Sequence, residues 1–167
     1  YGATIKTGEE VTNIIKEGDL FTLTTKTTSY KGKSVVLSTG STYRKLGVPG
    51  EMELIGSGVH FCATCDGAFY RDREVIVIGG GNSALEEGIF LSGFTKKVKI
   101  INRGDQFTGS QTYIDKLPEV DNIESHHNKE VVEFKVSEKG LFEGLVIKDS
   151  VTGKQETITT DGVFIFI

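Results

Sequence analysis

A compact apolar run, Val75-Ile76-Val77-Ile78, passes directly into Gly79-Gly80-Gly81-Asn82-Ser83-Ala84 and then into Leu85-Glu86-Glu87-Gly88-Ile89-Phe90-Leu91. Strand, glycine turn, helix is the reading. In the helix, Ala84, Gly88 and Leu91, with Leu85 and Ile89 beside them, fall on one side at the 3.6 period, small where a helix must approach a sheet closely. Lys96-Lys97 follows, and Val98-Lys99-Ile100-Ile101 is the next strand. A βαβ unit of about thirty residues is therefore expected. It predicts an α/β fold with a Rossmann-like dinucleotide-binding domain.

Gly79-x-Gly81-x-x-Ala84 fits the dinucleotide fingerprint in its required context. The first glycine makes the tight turn, the second admits the pyrophosphate, and the small third residue packs helix against strand. The helix N-terminus adds free N–H groups and a partial positive charge for the phosphates. A merely structural glycine turn is the bland alternative, and the strand before and helix after favour the nucleotide. An acid about twenty positions on would hold the ribose of NAD, and basic residues there would take the extra phosphate of NADP. The second strand ends on Asn102-Arg103-Gly104-Asp105, with one arginine and no carboxylate at the tip, so cofactor choice stays open. Asp105 comes late and reads as a turn residue.

Before this unit, Val11, Ile14-Ile15, Leu20-Phe21-Thr22-Leu23-Thr24 and Val35-Val36-Leu37 alternate as two or three short antiparallel strands. Gly47-Val48-Pro49-Gly50-Glu51 is the best linker, which places a domain boundary near it. After it, Ser110 stands where it could cap a short helix with Tyr113, Ile114 and Leu117 inward, stopped by Pro118. Strand signals return at Val131–Phe134, Leu145–Ile147 and Thr157-Ile158, and Asp161–Ile167 reads as a fully buried strand. The expected division is a β-rich part over 1–48, a nucleotide-binding domain over 49–160 and a strand over 161–167. The start on Tyr1-Gly2 and a single methionine, Met52, lead us to expect a piece of something longer.

Charge and composition exclude several classes. Over 167 residues, Lys+Arg 19 against Asp+Glu 23 gives 19 − 23 = −4, which argues against a nucleic-acid partner. No apolar run approaches the roughly 18 residues of a membrane span. Two cysteines cannot make a disulfide framework. They form Cys62-Ala63-Thr64-Cys65, followed by Asp66, and three readings compete. The spacing lets two sulfurs close a small reducible ring. Half of a zinc site would need two more ligands, and only His60, His126 and His127 exist, the last two adjacent and poor as a chelating arm. Inert buried thiols are the third reading. The neighbouring nucleotide fold favours the redox dithiol. Asp66 reads as a turn or cap residue, although beside a dithiol a carboxyl could carry a proton to or from a departing thiolate.

His60-Phe61-Cys62-Ala63-Thr64-Cys65-Asp66-Gly67 followed by Val77-Ile78-Gly79-Gly80-Gly81-Asn82-Ser83-Ala84-Leu85-Glu86-Glu87 resembles the low-molecular-weight thioredoxin reductases in the order and separation of both motifs. The resemblance spans nearly the whole chain. It implies a discontinuous FAD domain flanking an inserted NADPH domain that carries the dithiol. Residues 1–48 would then be a β-rich remnant of the FAD domain, and 161–167 the strand returning to it. It also implies that Cys65 is the sulfur nearest the flavin, Cys62 the one that attacks the thioredoxin disulfide, and Asp66 the proton donor. Gly79, Gly81, Asn82, Ser83 and Ala84 would hold the nucleotide.

The FAD fingerprint of that family is not in this sequence, so the resemblance implies a chain that does not itself retain FAD. Where the family's NADPH users carry His-Arg-Arg and a further Arg, this sequence has Asn102-Arg103-Gly104-Asp105-Gln106-Phe107-Thr108, leaving only Arg103. NADPH, NADH or another donor acting through the flavin are all compatible with that. The rivals are the flavoprotein subunit of alkyl hydroperoxide reductase and a non-enzymatic nucleotide-binding redox module. A redox dithiol without structural cysteines favours a cytoplasmic location, and the resemblance implies a homodimeric parent.

Overall fold

A computed structural model describes residues 2–167 and divides them into two compact units, the first ending at Thr42 and the second running over Tyr43–Ile167. The first is an antiparallel meander of β1 (Val11–Glu17), β2 (Leu20–Thr25) and β3 (Ser29–Gly32). Glu17 pairs with Leu20, so Gly18 and Asp19 make a two-residue turn, and Gly18 takes the positive φ (62°) such a turn demands. Val35-Val36-Leu37, expected as a strand, is not one. No strand pairs with it among the described residues, and Val36 and Leu37 are 87% and 69% exposed. An apolar run becomes a strand only where a neighbour accepts its backbone hydrogen bonds.

The second unit is built in chain order from α1 (Glu51–Leu54), β4 (Val59–His60), α2 (Ala63–Asp66), β5 (Glu74–Ile78), α3 (Asn82–Ser92), β6 (Lys97–Ile101), α4 (Gln111–Lys116), β7 (Ile123–His126), β8 (Lys129–Val136), β9 (Phe142–Asp149), β10 (Gln155–Ile158) and β11 (Gly162–Ile165). Five strands form a parallel sheet in the order β4-β11-β5-β6-β7, and β8, β9 and β10 form an antiparallel sheet. The fold is α/β, as the glycine turn between two apolar strands required.

Alternation along β5 explains why the parallel sheet is covered on both faces. Ile76 and Ile78 enter a core with Leu54, Phe134, Leu145 and Ile147 from α1 and the antiparallel sheet. Val75 and Val77 enter another with Ala84, Leu85 and Leu91 of α3. Strands buried on both sides read as continuous apolar runs, which is how β5 looks in the sequence. Gly88 sits where α3 crosses the sheet, and a methyl group there would meet the end of Ile100 at 3.2 Å.

The stretch read as a linker is anchored by its own residues. The Glu51 carboxylate, 1% exposed, accepts the backbone N–H groups of Leu46 (2.9 Å) and Gly47 (2.7 Å), and the Phe134 N–H donates to the Pro49 carbonyl (2.9 Å). A buried carboxylate is tolerated because it is hydrogen-bonded. The chain from Leu46 to Gly50 is thereby fastened to α1 and β8. Ser110 occupies the N-cap position of α4 without a side-chain capping bond, Tyr113 and Ile114 are half-buried, and Leu117 is buried.

Candidate functional site

The glycine turn lies where β5 hands over to α3, and each glycine has a different reason to be there. Gly79 has φ +143°, and a Cβ on it would collide with the Phe166 carbonyl. Gly80 would press its Cβ into the Asn102 amide. Gly81 is extended (φ −87°, ψ −177°), and a Cβ there meets nothing within 4 Å. Space for a ligand is therefore left over Gly81, while Gly79 is fixed by close packing. Gly81 is the N-cap of α3 and offers no side-chain capping bond. The first helical N–H groups, of Asn82, Ser83 and Ala84, lack partners within the helix. A pyrophosphate fits that set of donors. Ala84 is fully buried against the sheet, and Asn82 and Ser83 are exposed.

The turn is knitted to the loop that follows β6. Gly80 accepts hydrogen bonds at its carbonyl from the N–H of Thr108 (2.8 Å) and of Gly109 (3.1 Å), and the Asn82 Oδ1 accepts the Ser110 N–H (2.6 Å). Asn102, 5% exposed, donates its side-chain amide to the carbonyls of Gln106 (2.8 Å) and Gly104 (3.2 Å). Phe107 packs against His127 with ring centres 4.5 Å apart. Arg103 is exposed at the tip of this loop, and Asp105 is exposed in its turn. Asn102 organises the site without belonging to the fingerprint, and a polar residue closing an apolar strand was the only signal for it.

Cys62 and Cys65 form a disulfide, with their Cα atoms 5.3 Å apart. Cys62 is the N-cap of α2, and its Sγ accepts the Cys65 backbone N–H at 3.2 Å. Cys65 is exposed, and Cys62 is half-buried. Ala63, between them, is buried in the same core as Ala84, Leu85 and Leu91, so the dithiol segment and the nucleotide helix pack on shared side chains.

Asp66 is not merely a turn residue. Its Oδ2 lies 3.1 Å from Nδ1 of His60, whose Nε2 is 2.7 Å from the Tyr70 hydroxyl. His60 is 7% exposed and stacks on Phe164 of β11 with ring centres 5.2 Å apart. Burial, and then the Asp66 charge, push the Tyr70 phenol above its ordinary range, so it keeps its proton. Sequence reasoning considered His60 only as a metal ligand. Among the described residues no cluster of three or more potential ligands exists, and His60 is engaged by Asp66 and Tyr70. On α3, burial raises the Glu87 carboxyl, whose Oε2 is buried without a partner.

The sequence profile of the pyridine nucleotide-disulphide oxidoreductases matches residues 2–167. The chain is similar to the thioredoxin reductase of Bacillus subtilis (strain 168), at 41% identity over 138 residues, 83% of this chain and 43% of that one. With the thioredoxin reductase of Treponema pallidum (strain Nichols) it shares 38% over 159 residues, 95% of this chain and 51% of the relative. Among solved structures, Lactococcus lactis thioredoxin reductase in its FR conformation superposes with a TM-score of 0.80 at 33% identity, over 95% of this chain and 52% of that one. The chain spans about half the length of the curated relatives it matches.

Proposed function

The chain belongs to the pyridine nucleotide-disulphide oxidoreductase family, and from that premise we propose that it is the nucleotide-binding and dithiol-bearing part of a thioredoxin reductase-like flavoenzyme. The observation that carries the reading is the Cys62–Cys65 disulfide at the start of a short helix packed on the same core as the glycine turn. In the whole enzyme, a reduced nicotinamide would supply a hydride, and FAD held largely by a flanking domain would pass the electron pair to the disulfide.

The residues divide this work. Gly81 and the N–H groups of Asn82, Ser83 and Ala84 hold the pyrophosphate above the tight turn that Gly79 makes, and Arg103 meets the adenosine ribose and any phosphate on it. Cys65 receives the electron pair. With two electrons and two protons the disulfide becomes two thiols, and Asp66 delivers one of the protons. Cys62, the sulfur with the backbone donor, attacks the disulfide of thioredoxin or a like protein. Cys65 then displaces it from the mixed disulfide, which restores the Cys62–Cys65 bond and releases the reduced partner. Residues 1–48 belong to the flavin domain, 49–160 to the nucleotide domain, and 161–167 lead back to the former. The compact units separate at Thr42, a few residues before that first boundary, and Leu46 and Val48 pack on the core of the second unit. A cytoplasmic homodimer is the assembly this reading implies.

The donor is a separate question. A single exposed Arg103, with the Asn102 amide spent on loop carbonyls, favours NADH or an only weak preference for NADPH. The test of the function is Cys62→Ser in the enzyme complete with its flavin domain. Thioredoxin reduction should be lost while flavin reduction by the donor remains, and retained turnover with thioredoxin overturns the assignment.

A further inference from the structure

Once Asp66 gives up its proton it is a carboxylate, open to water on one side with its side chain 35% exposed, and a buried partner on the other side would hold it in place. The surroundings supply one candidate. His60 Nδ1 is buried, 3.1 Å from Asp66 Oδ2, and makes no aligned hydrogen bond with any group. The other ring nitrogen, Nε2, meets the Tyr70 hydroxyl at 2.7 Å. The ring is held flat on Phe164, and Tyr70 packs edge-on to both rings. Titratable neighbours enter from three sides: Asp66 from α2, Tyr70 from the 3-10 turn Gly67–Tyr70, and Arg73 and Asp161, whose charges reach Tyr70.

The proton positions follow by elimination. A carboxylate only accepts hydrogen bonds, so a favourable approach to Asp66 puts the proton on Nδ1. A neutral imidazole protonated there must accept at Nε2, and Tyr70 O–H is the donor in reach. Tyr70 thereby fixes the tautomer that keeps the proton on Nδ1, the ring nitrogen nearest Asp66.

We propose that His60 is the positioning residue for proton delivery to the dithiol, with Tyr70 locking its tautomer and its Nδ1–H receiving Asp66 each time Asp66 becomes a carboxylate. The inference rests on Asp66 being the proton donor. When a reductant's thiolate attacks one sulfur of the Cys62–Cys65 bond, that bond breaks and the other sulfur departs as a thiolate. It takes its proton from Asp66, the carboxylate turns to His60 Nδ1–H, and solvent returns the proton to Asp66 before the next cycle. The reductant's second thiolate then displaces the mixed disulfide, so the reductant ends as a disulfide and the chain as a dithiol.

The experiment needs no flavin. The disulfide of the chain is reduced by excess dithiothreitol at one fixed pH, in H2O and in D2O, and free thiols are counted with time. Rates are compared with that of the unmodified chain under the same reagent, and a thermal melt is recorded for each variant. In Asp66→Asn reduction should slow several-fold, and its solvent isotope effect should fall toward that of a small-molecule disulfide. In His60→Leu reduction should slow by a smaller factor. His60→Asn, which restores an N–H near the place of Nδ1, should recover most of that rate, and Tyr70→Phe should lose part of it. The double variant His60→Leu/Asp66→Asn should behave as Asp66→Asn alone. An unchanged rate and isotope effect for Asp66→Asn would sink the donor reading itself. A slowed Asp66→Asn, with His60→Leu and Tyr70→Phe melting earlier but reducing at the unmodified rate, would leave His60 a packing residue and overturn the proposal.

Discussion

Gly79 and Gly81 are two residues apart and should fail in opposite ways. At Gly79, φ is +143° and a new Cβ collides with the Phe166 carbonyl, which belongs to backbone and cannot swing aside. A conformation that L-residues rarely adopt costs of order 1–3 kcal/mol before the collision is counted. In a chain of this size each kcal/mol lowers the melting temperature by about 2–4 °C. Gly79→Ala should therefore melt several degrees early. Gly81 has ordinary dihedrals and open space around its missing Cβ, so Gly81→Ala should fold within about 0.5 kcal/mol of the unmodified chain. The open space is where the proposed pyrophosphate would lie. A methyl group there displaces a charge-assisted contact worth about 1.5–3 kcal/mol, which is roughly tenfold to a hundredfold in Kd. Thermal melts and calorimetric titrations with NADH and NADPH read the two effects separately. Unchanged affinity of Gly81→Ala for both nucleotides would refute the cradle, and an unchanged melt of Gly79→Ala would refute the packing argument.

Replacing Gly104 and Thr108 together by Arg should raise the ratio of NADPH to NADH affinity by about tenfold or more, while the unmodified chain prefers NADPH by about tenfold or less; a hundredfold preference in the unmodified chain contradicts the assignment to Arg103. Lys129 at 2.9 Å and the N–H groups of Val151 and Thr152 hold the Asp149 carboxyl well below the usual carboxylate range. A depressed carboxyl stabilises the fold above its unfolded-state value and loses that contribution as pH falls through the folded one. Melting temperature should therefore decline on acidification below about pH 4, and Asp149→Asn should flatten part of that decline; identical acid profiles would remove Asp149 from the account. Glu51→Gln should melt earlier, because one side-chain oxygen that accepts a buried N–H becomes a donor; an unchanged melt would mean the Leu46–Gly50 segment is held by packing alone.

Local pattern revealed local structure and little else. The β5–α3 junction was legible because an apolar run, a glycine turn and a helical stripe are each written in adjacent residues. The strand at Asp161–Ile167 was also legible as a strand. Its place between β4 and β5 was not, since strand order depends on partners far away in sequence. Val35–Leu37 carried strand-like composition without a ladder to join. In the site, the two cysteines and the glycines could be named from spacing, whereas His60 and Asn102 acquire their roles from burial. Asn102 stood in the sequence only as the residue before Arg103, where the resembled family has His; in the structure it is the clamp of its loop. His60 was weighed as a zinc ligand and as the start of the dithiol motif, and only the fold brings Tyr70 and Phe164 to it.

The central position of β11 bears on the order in which the molecule can mature. Phe164 lies under His60, and the Phe166 N–H donates to the Ile78 carbonyl just before the glycine turn (2.8 Å). Both supports come from β11 and the residues just after it, about a hundred residues downstream of β4. Pairings so distant in sequence form late, and chains synthesised from the N-terminus fold in the order their partners emerge. On the ribosome, a chain whose cysteines have already emerged would still lack the floor beneath His60 and the backstop behind Gly79. Its thiols would meet cellular oxidants and reductants as ordinary exposed cysteines until β11 slid into the sheet, and both sites would then take shape in one step.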